Sequence, residues 1–273
     1  MRRLINYMMM NKIKIFCSWE LEFELEHEKQ IELYVDQIPN TTVPANTIRF
    51  VYLLEPPEIL DLTQHAITAY KNRNYNWLFT HNQELLDKID NSFVYPLAST
   101  WIKDYSFPNK KFEVSALVGG KKMAEGHLLR HKLWFKEDRI KAPKKFFLSG
   151  NFGGIENYNN NPVLGADKKP LFDSQFHICI ENTKRRNWWT EKLEDCMQTK
   201  TVPIYYGCPN IGDWFDTKGF IIANDLKDII EACNSLDEST YNNMLPYIED
   251  NFKRSQEFAN IGERLKKDIL KRI

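Results

Sequence analysis

Phe176-His177-Ile178-Cys179-Ile180-Glu181-Asn182, the loop Thr183 to Trp189, Thr190-Glu191-Lys192 and Thr201-Val202-Pro203-Ile204-Tyr205-Tyr206-Gly207-Cys208-Pro209 carry two buried-strand signatures joined by a polar loop and a helix start. A short apolar run ending in Glu-Asn reads as a buried strand. Thr190 is a suitable N-cap, so a helix is predicted from Glu191-Lys192 through Leu193 and Met197. The second run opens with Pro203 and closes with Gly207 and Pro209, as a strand between turns does. Strand, helix, strand in this order is a βαβ unit of a parallel sheet.

The same alternation extends in both directions. Strands are predicted at residues 12–19, 31–38, 47–54, 75–79, 112–118, 145–148 and 220–223. Helices are predicted at 57–72, 83–90, 127–138, 226–236 and 239–273. The run Asp104-Tyr105-Ser106-Phe107-Pro108-Asn109-Lys110-Lys111 interrupts the pattern and reads as a linker. The fold class is therefore α/β, with two Rossmann-like doubly wound domains, 1–107 and 108–273, facing a central cleft. Ligands of such sheets bind at the carboxyl ends of the strands. Residues 150–170, with Gly153, Gly154, Gly165 and the Asn159-Asn160-Asn161 cluster, read as a long polar loop.

Composition limits the function. The chain has 273 residues, 42% hydrophobic, with 37 basic and 37 acidic side chains and zero formal net charge. It can bury a core, and it lacks the basic excess of a dedicated nucleic-acid binder. Five cysteines without a C-x-x-C pair argue against a zinc site or a disulfide framework. The N-terminal Met1 to Met10 only faintly imitates a signal peptide, because Asn6 breaks it, and no run is long enough to span a membrane. A cytoplasmic protein is expected.

The helix start at Glu191-Lys192 offers free N–H groups and a positive dipole end, which suit a diphosphate, and Lys192 adds a positive charge. Glu191 can accept hydrogen bonds from ribose or sugar hydroxyls. Phe176-x-Ile-x-Ile-Glu-Asn, Thr190-Glu191-Lys192 and Val202-Pro203-Ile204-Tyr205-Tyr206-Gly207-x-Pro209 together resemble the donor-binding motif of family 10 glycosyltransferases, the α-1,3/4-fucosyltransferases. The resemblance covers about residues 112–225. It implies a GT-B fold, a C-terminal domain for the nucleotide-sugar and an N-terminal domain for the acceptor. It also implies an inverting, metal-independent reaction with no cofactor, using a donor such as GDP-fucose. By the motif match, Glu191 touches donor sugar and ribose, Lys192 the diphosphate, Asn182 the same pocket, and Trp188 takes the place of an aromatic near the nucleotide.

A second basic element, Gly119-Gly120-Lys121-Lys122 followed by Gly126-His127-Leu128-Leu129-Arg130, comes after the strand at 112–118. Glycines permit close approach to phosphate, and Lys121 and Arg130 can neutralise it. The family's phosphate-binding arginine falls on Gly126 here, so Arg130, one turn later, is the nearest replacement. The expected donor-binding set is Lys121, His127, Arg130, Asn182, Trp188, Thr190, Glu191 and Lys192.

In the N-terminal half, Phe50-Val51-Tyr52-Leu53-Leu54 ends in Glu55-Pro56-Pro57-Glu58. Glu55, at a strand's carboxyl end, matches the place of the family's general base, with Glu58 as competitor. Thr80-His81-Asn82 repeats the geometry, and His81 and Asn82 are the expected acceptor contacts. Trp101 reads as core packing or a sugar platform, and the tandem Trp188-Trp189 as a platform over the nucleotide. The Glu20 to Glu26 alternation reads as a solvated face. A final helix is expected to return to the N-terminal domain. Two other functions fit the same residues: an exostosin-like transferase using a UDP-sugar such as UDP-xylose, and a non-catalytic glycan- or nucleotide-binding protein.

Overall fold

In the computed structural model, which describes residues 10–150 and 154–273, the chain divides into two units, Met1–Pro96 with Ile261–Ile273 and Leu97–Asn260. The N-terminal run as far as Met9, and Gly153 of the polar loop, lie outside the described residues. The first unit contains β1 (Asn11–Lys12), β2 (Lys14–Phe16), β3 (Glu26–His27), β4 (Gln30–Val35), β5 (Thr47–Leu53), α1 (Thr63–Lys71), β6 (Trp77–Thr80), α2 (Gln83–Lys88) and β7 (Ser92–Val94). β4 alternates buried and half-buried residues, whereas β5 is buried from Arg49 to Leu53. That contrast separates a strand covered on one face from one covered on both. The sheet order is β2-β4-β5-β6-β7, and every pair is parallel. Val51, Leu53 and Leu78 pack with Ala66 and Ala69 of α1 and Leu85 of α2.

The second unit contains β8 (Lys111–Val118), α3 (Glu125–Trp134), β9 (Lys144–Ser149), β10 (Val163–Leu164), β11 (Ser174–Ile180), α4 (Glu191–Gln198), β12 (Val202–Tyr206), β13 (Ile221–Ile222), α5 (Leu226–Ser235) and α6 (Glu238–Ser255). Its parallel sheet has the order β10-β9-β8-β11-β12-β13. The chain leaves β8 toward one edge and later returns beside it as β11. The topological switch point is therefore between β8 and β11. Both faces are covered, since Phe176, Ile178 and Ile180 enter one core and Cys179 the other.

Several expected boundaries move. The run 104–111 is no linker but part of the second unit: Tyr105 donates its hydroxyl to the Phe172 carbonyl at 2.6 Å, and Lys110 donates to Thr201 Oγ1 at 2.8 Å. The helix expected over 57–72 starts only at Thr63, because Pro56 accepts the Ile59 and Leu60 N–H groups in a turn. The helix expected over 239–273 is broken, with α6 ending at Ser255 and α7 spanning Ile261–Leu270. Between them Phe258 turns into the aromatic core, 5.4 Å from the Trp189 ring. α7 belongs to the first unit, where Arg264 donates to the Pro96 carbonyl at 2.7 Å. The Asn cluster of the polar loop is tethered, with Asn159 and Asn161 both donating to the buried carboxylate of Glu137.

Burial pulls the Lys110 ammonium down to about 7. Below that pH both folded and unfolded chains hold the proton, and the cost of burying the charge is fully present. Between about 7 and the ordinary lysine value the unfolded chain holds more protons, so this group's contribution to stability rises with pH. The buried thiols, pushed up by burial, act in the opposite sense. We expect Lys110→Met to remove the rising component, seen as a shrinking stability difference between variant and wild type from pH 7 to 10 in urea unfolding. A difference that does not vary with pH would show that Lys110 is charged when folded.

Candidate active site

The site in the second unit is built on a buried carboxylate. Glu181, at the end of β11, is fully buried and accepts the Thr190 N–H at 2.8 Å and the Thr190 hydroxyl at 2.7 Å. Thr190 in turn caps α4, accepting the Lys192 N–H at 3.3 Å. The strand end and the helix start are thereby joined through one side chain. Gly207, after β12, closes this arrangement: a Cβ there would lie 2.7 Å from the Glu181 Cγ.

Lys192 reaches Glu191 at 3.1 Å, Thr190 Oγ1 at 3.2 Å and Glu181 at 3.9 Å. Glu191 is also 3.6 Å from Lys168. Burial would raise the Glu191 carboxyl, but Lys192 and Lys168 hold it down at about 2. Burial likewise raises Glu181, and the two glutamates keep Lys192 protonated against its own burial.

On the α3 side, Arg130 donates to Asn182 Oδ1 at 2.8 Å and to the Ile180 carbonyl. Gly126 donates its N–H to the Asn182 carbonyl at 2.9 Å, and a Cβ at Gly126 would meet the Glu181 carbonyl at 1.8 Å. No side chain fits at this position. Arg130, one turn further along α3, has its guanidinium engaged by the end of β11. His127 accepts the Ala124 N–H through Nδ1 at 3.1 Å, which closes the first turn of α3. Burial, then Arg130, Lys192 and Lys121, push the imidazole down to about 4. The exposed Lys121, together with Arg130 and Lys192, therefore contributes to one positive field around the neutral His127 at the β8–β11 switch point.

Trp188 and Trp189 do not form the expected platform. Both indoles are fully buried, and Trp189 packs tilted or edge-on against Trp214, Phe215 and Phe258. The two large rings are core residues under the loop, and neither offers a face to a ligand. Trp101 is the reverse case. It is 62% exposed, with the Lys168 ammonium 3.8 Å from its ring centre. Asp195 anchors that segment by accepting the Thr100 hydroxyl at 2.7 Å and the Trp101 N–H at 2.8 Å. Sequence reasoning missed Lys168 and Asp195 because neither lies in a motif. It also missed the role of Glu181, although a carboxylate ending a buried strand was the available signal.

In the first unit, Glu55, His81 and Asn82 line one small pocket with Asp36, Thr63 and Leu85. Glu58 is exposed and outside this lining. Asn82 accepts the Glu84 N–H at 3.0 Å as the cap of α2 and donates to Thr63 Oγ1 at 3.1 Å. Its amide is committed to structure on both sides. A further cavity of about 510 Å³ opens at the ends of β12 and β13, where Lys184 donates to Asn224 and Asn210 to Asp213. Among the described residues no group of three or more His, Cys, Asp or Glu could hold a metal ion, and no helix is long and apolar enough to cross a membrane.

Residues 152–259 match the family model described as glycosyltransferase family 10 (fucosyltransferase), C-terminal part. Over 62 residues the chain is 38% identical to the alpha-(1,3)-fucosyltransferase FucT of Helicobacter pylori, covering 23% of this chain and 13% of that protein. Over 98 residues it is 32% identical to the GDP-fucose protein O-fucosyltransferase 3 of Danio rerio, covering 34% of this chain and 21% of that one. The matches thus span less than a quarter of these relatives' lengths. Among solved structures, an α1,3-fucosyltransferase with GDP-fucose aligns with a TM-score of 0.50 at 18% identity, over 83% of this chain and 78% of the other. The pneumococcal O-GlcNAc transferase GtfA, in complex with UDP and GlcNAc, aligns with a TM-score of 0.54 at 11% identity, over 88% and 56%. These likenesses establish the GT-B fold. The segment 152–259, which holds Glu181, Asn182 and α4, is the part of the chain that is similar to the C-terminal part of glycosyltransferase family 10.

Proposed function

We propose that the chain is an inverting, metal-independent glycosyltransferase that moves a sugar, with fucose favoured, from a nucleotide-sugar such as GDP-fucose to a glycan hydroxyl. The observation that carries this reading is the α4 start. There Glu191 and Lys192, held by Thr190 on Glu181, stand beside Arg130 and Asn182 at the β8–β11 switch point, in the segment that matches family 10. The donor diphosphate meets the helix N-terminus and Lys192, while the ionised Glu191 takes sugar or ribose hydroxyls. The first unit, 1–96 with the last helix, serves the acceptor, and the second serves the donor. Glu55 takes the proton of the acceptor hydroxyl as its oxygen attacks the anomeric carbon. The new C–O bond forms as the bond to the diphosphate breaks, and the leaving charge falls on the cationic field around Lys192. A single displacement of this kind inverts the anomeric centre.

Lys192→Ala should weaken nucleotide-sugar binding by roughly ten- to hundredfold, the loss of one charge-assisted contact of about 1.5–3 kcal/mol. Calorimetry on the folded variant measures it, and unchanged affinity would remove Lys192 from the donor site. Binding of GDP should also raise the His127 pKa from about 4, since an anion offsets Arg130, Lys192 and Lys121. Imidazole shifts in NMR titrations report this, and a value indifferent to GDP would place the diphosphate elsewhere.

Turnover should survive EDTA. Complete loss, restored by manganese or magnesium, would contradict the metal-independent reading. Glu55→Gln keeps the shape and removes the base, so turnover should fall about 10²–10⁴-fold with donor affinity nearly unchanged. Near-native turnover in that variant, or a product that keeps the donor's anomeric configuration, would overturn the mechanism.

A further inference from the structure

We infer that Asp36 and His81 are positioning residues that hold the main chain of Glu55 from its two sides. This inference rests on Glu55 being the base, as proposed above. β4 ends at Val35, and the next residue, Asp36, takes a left-handed backbone with φ 50°. Few residues other than glycine tolerate that region, and Asp and Asn are among those that do. The turn sends the Asp36 side chain across the end of the neighbouring strand. Its N–H donates to the Tyr52 carbonyl at 2.9 Å, and its Oδ1 accepts the N–H groups of Leu54 at 2.9 Å and Glu55 at 3.2 Å.

β5 stops pairing at Leu53, so these two N–H groups have left the sheet and need another acceptor. The Asp36 carboxylate supplies it. From the other side, His81 Nε2 lies 3.4 Å from the Glu55 carbonyl, and a carbonyl can only accept, so the ring nitrogen donates. His81 is 1% exposed and sits at the end of β6, beside β5. This geometry changes the expected role of His81 from touching the acceptor to fixing the residue that does. All three side chains line the same pocket.

Holding the backbone of a base is functional when a displacement of about 1 Å costs on the order of 10² in rate. Asp36→Gly removes the carboxylate and remains at ease with a positive φ, so the turn itself is kept. Asp36→Asn keeps an oxygen acceptor for the two N–H groups. Asp36→Gly should lower kcat about 10- to 100-fold while donor affinity by calorimetry stays within twofold, and Asp36→Asn should recover most of that loss.

The decisive measurement is a double-mutant cycle with Glu55→Gln. If Asp36 acts through Glu55, Asp36→Gly should cost nothing further in the Glu55→Gln background. An equal additional loss in that background would overturn the inference, as would full turnover in folded Asp36→Gly. Near-native turnover of Glu55→Gln alone would instead overturn the base assignment, a separate result. Should Asp36→Gly fail to fold, His81→Phe against His81→Gln repeats the cycle from the opposite side of Glu55. There too, no further loss in the Glu55→Gln background supports the inference and an equal additional loss overturns it.

Discussion

The second unit depends on a carboxylate taken out of water. Glu181 has no solvent exposure, and burying an ionisable group costs several kcal/mol unless its oxygens are satisfied. Here both oxygens are used by one residue, Thr190, through its N–H and its hydroxyl. The consequence is geometric. Thr190 cannot move without orphaning Glu181, so the first turn of α4 is fixed relative to the end of β11. Glu191 and Lys192, which are only half-buried, inherit that fixed position. The close approaches of Gly126 and Gly207 to Glu181 follow from the same demand, since a carboxylate must be walled off before it is worth satisfying internally.

The two units solve a common problem in different ways. Each presents a carboxylate just beyond the end of a buried parallel strand. In the second unit the side chain itself is buried and bonded, and it serves the helix that follows. In the first unit the main chain of Glu55 is bonded, by Asp36 and His81, and its half-buried side chain lines a pocket. A carboxylate used for architecture is thus held by its oxygens, and one proposed for proton transfer is held by its backbone.

Much of this was legible in the residues. The apolar runs ending in Glu-Asn and Tyr-Tyr-Gly, together with Thr190 as a cap, are local signals, and the structure has β11, α4 and β12 within a residue or two of the expected bounds. What could not be read was the direction of long-range burial. Tandem tryptophans after a strand look the same in sequence whether they face a ligand or the core, and the core cluster around Phe215 and Phe258 comes from segments far along the chain. Lys168, Asp195 and Asp36 were invisible for a related reason. Each matters through a partner distant in the chain, 18 residues away for Asp36 with Leu54 and 95 for Asp195 with Thr100, and no spacing rule connects them. The run at 104–111 has a linker's composition but is bound into the second unit by Tyr105 and Lys110.

Trp101 gives the second unit a built-in optical signal. Trp134, Trp188 and Trp189 are buried and Trp214 is half-buried, whereas Trp101 faces solvent with an ammonium resting on its ring and Asp195 holding its backbone. A protonated amine against an indole quenches its emission, and the amine in question is the one that pairs with Glu191. Any molecule that draws Lys168 away from the ring changes the brightness of that indole. A ligand that binds at the α4 start, as proposed, and displaces that ammonium would therefore change the intrinsic fluorescence of the unlabelled protein.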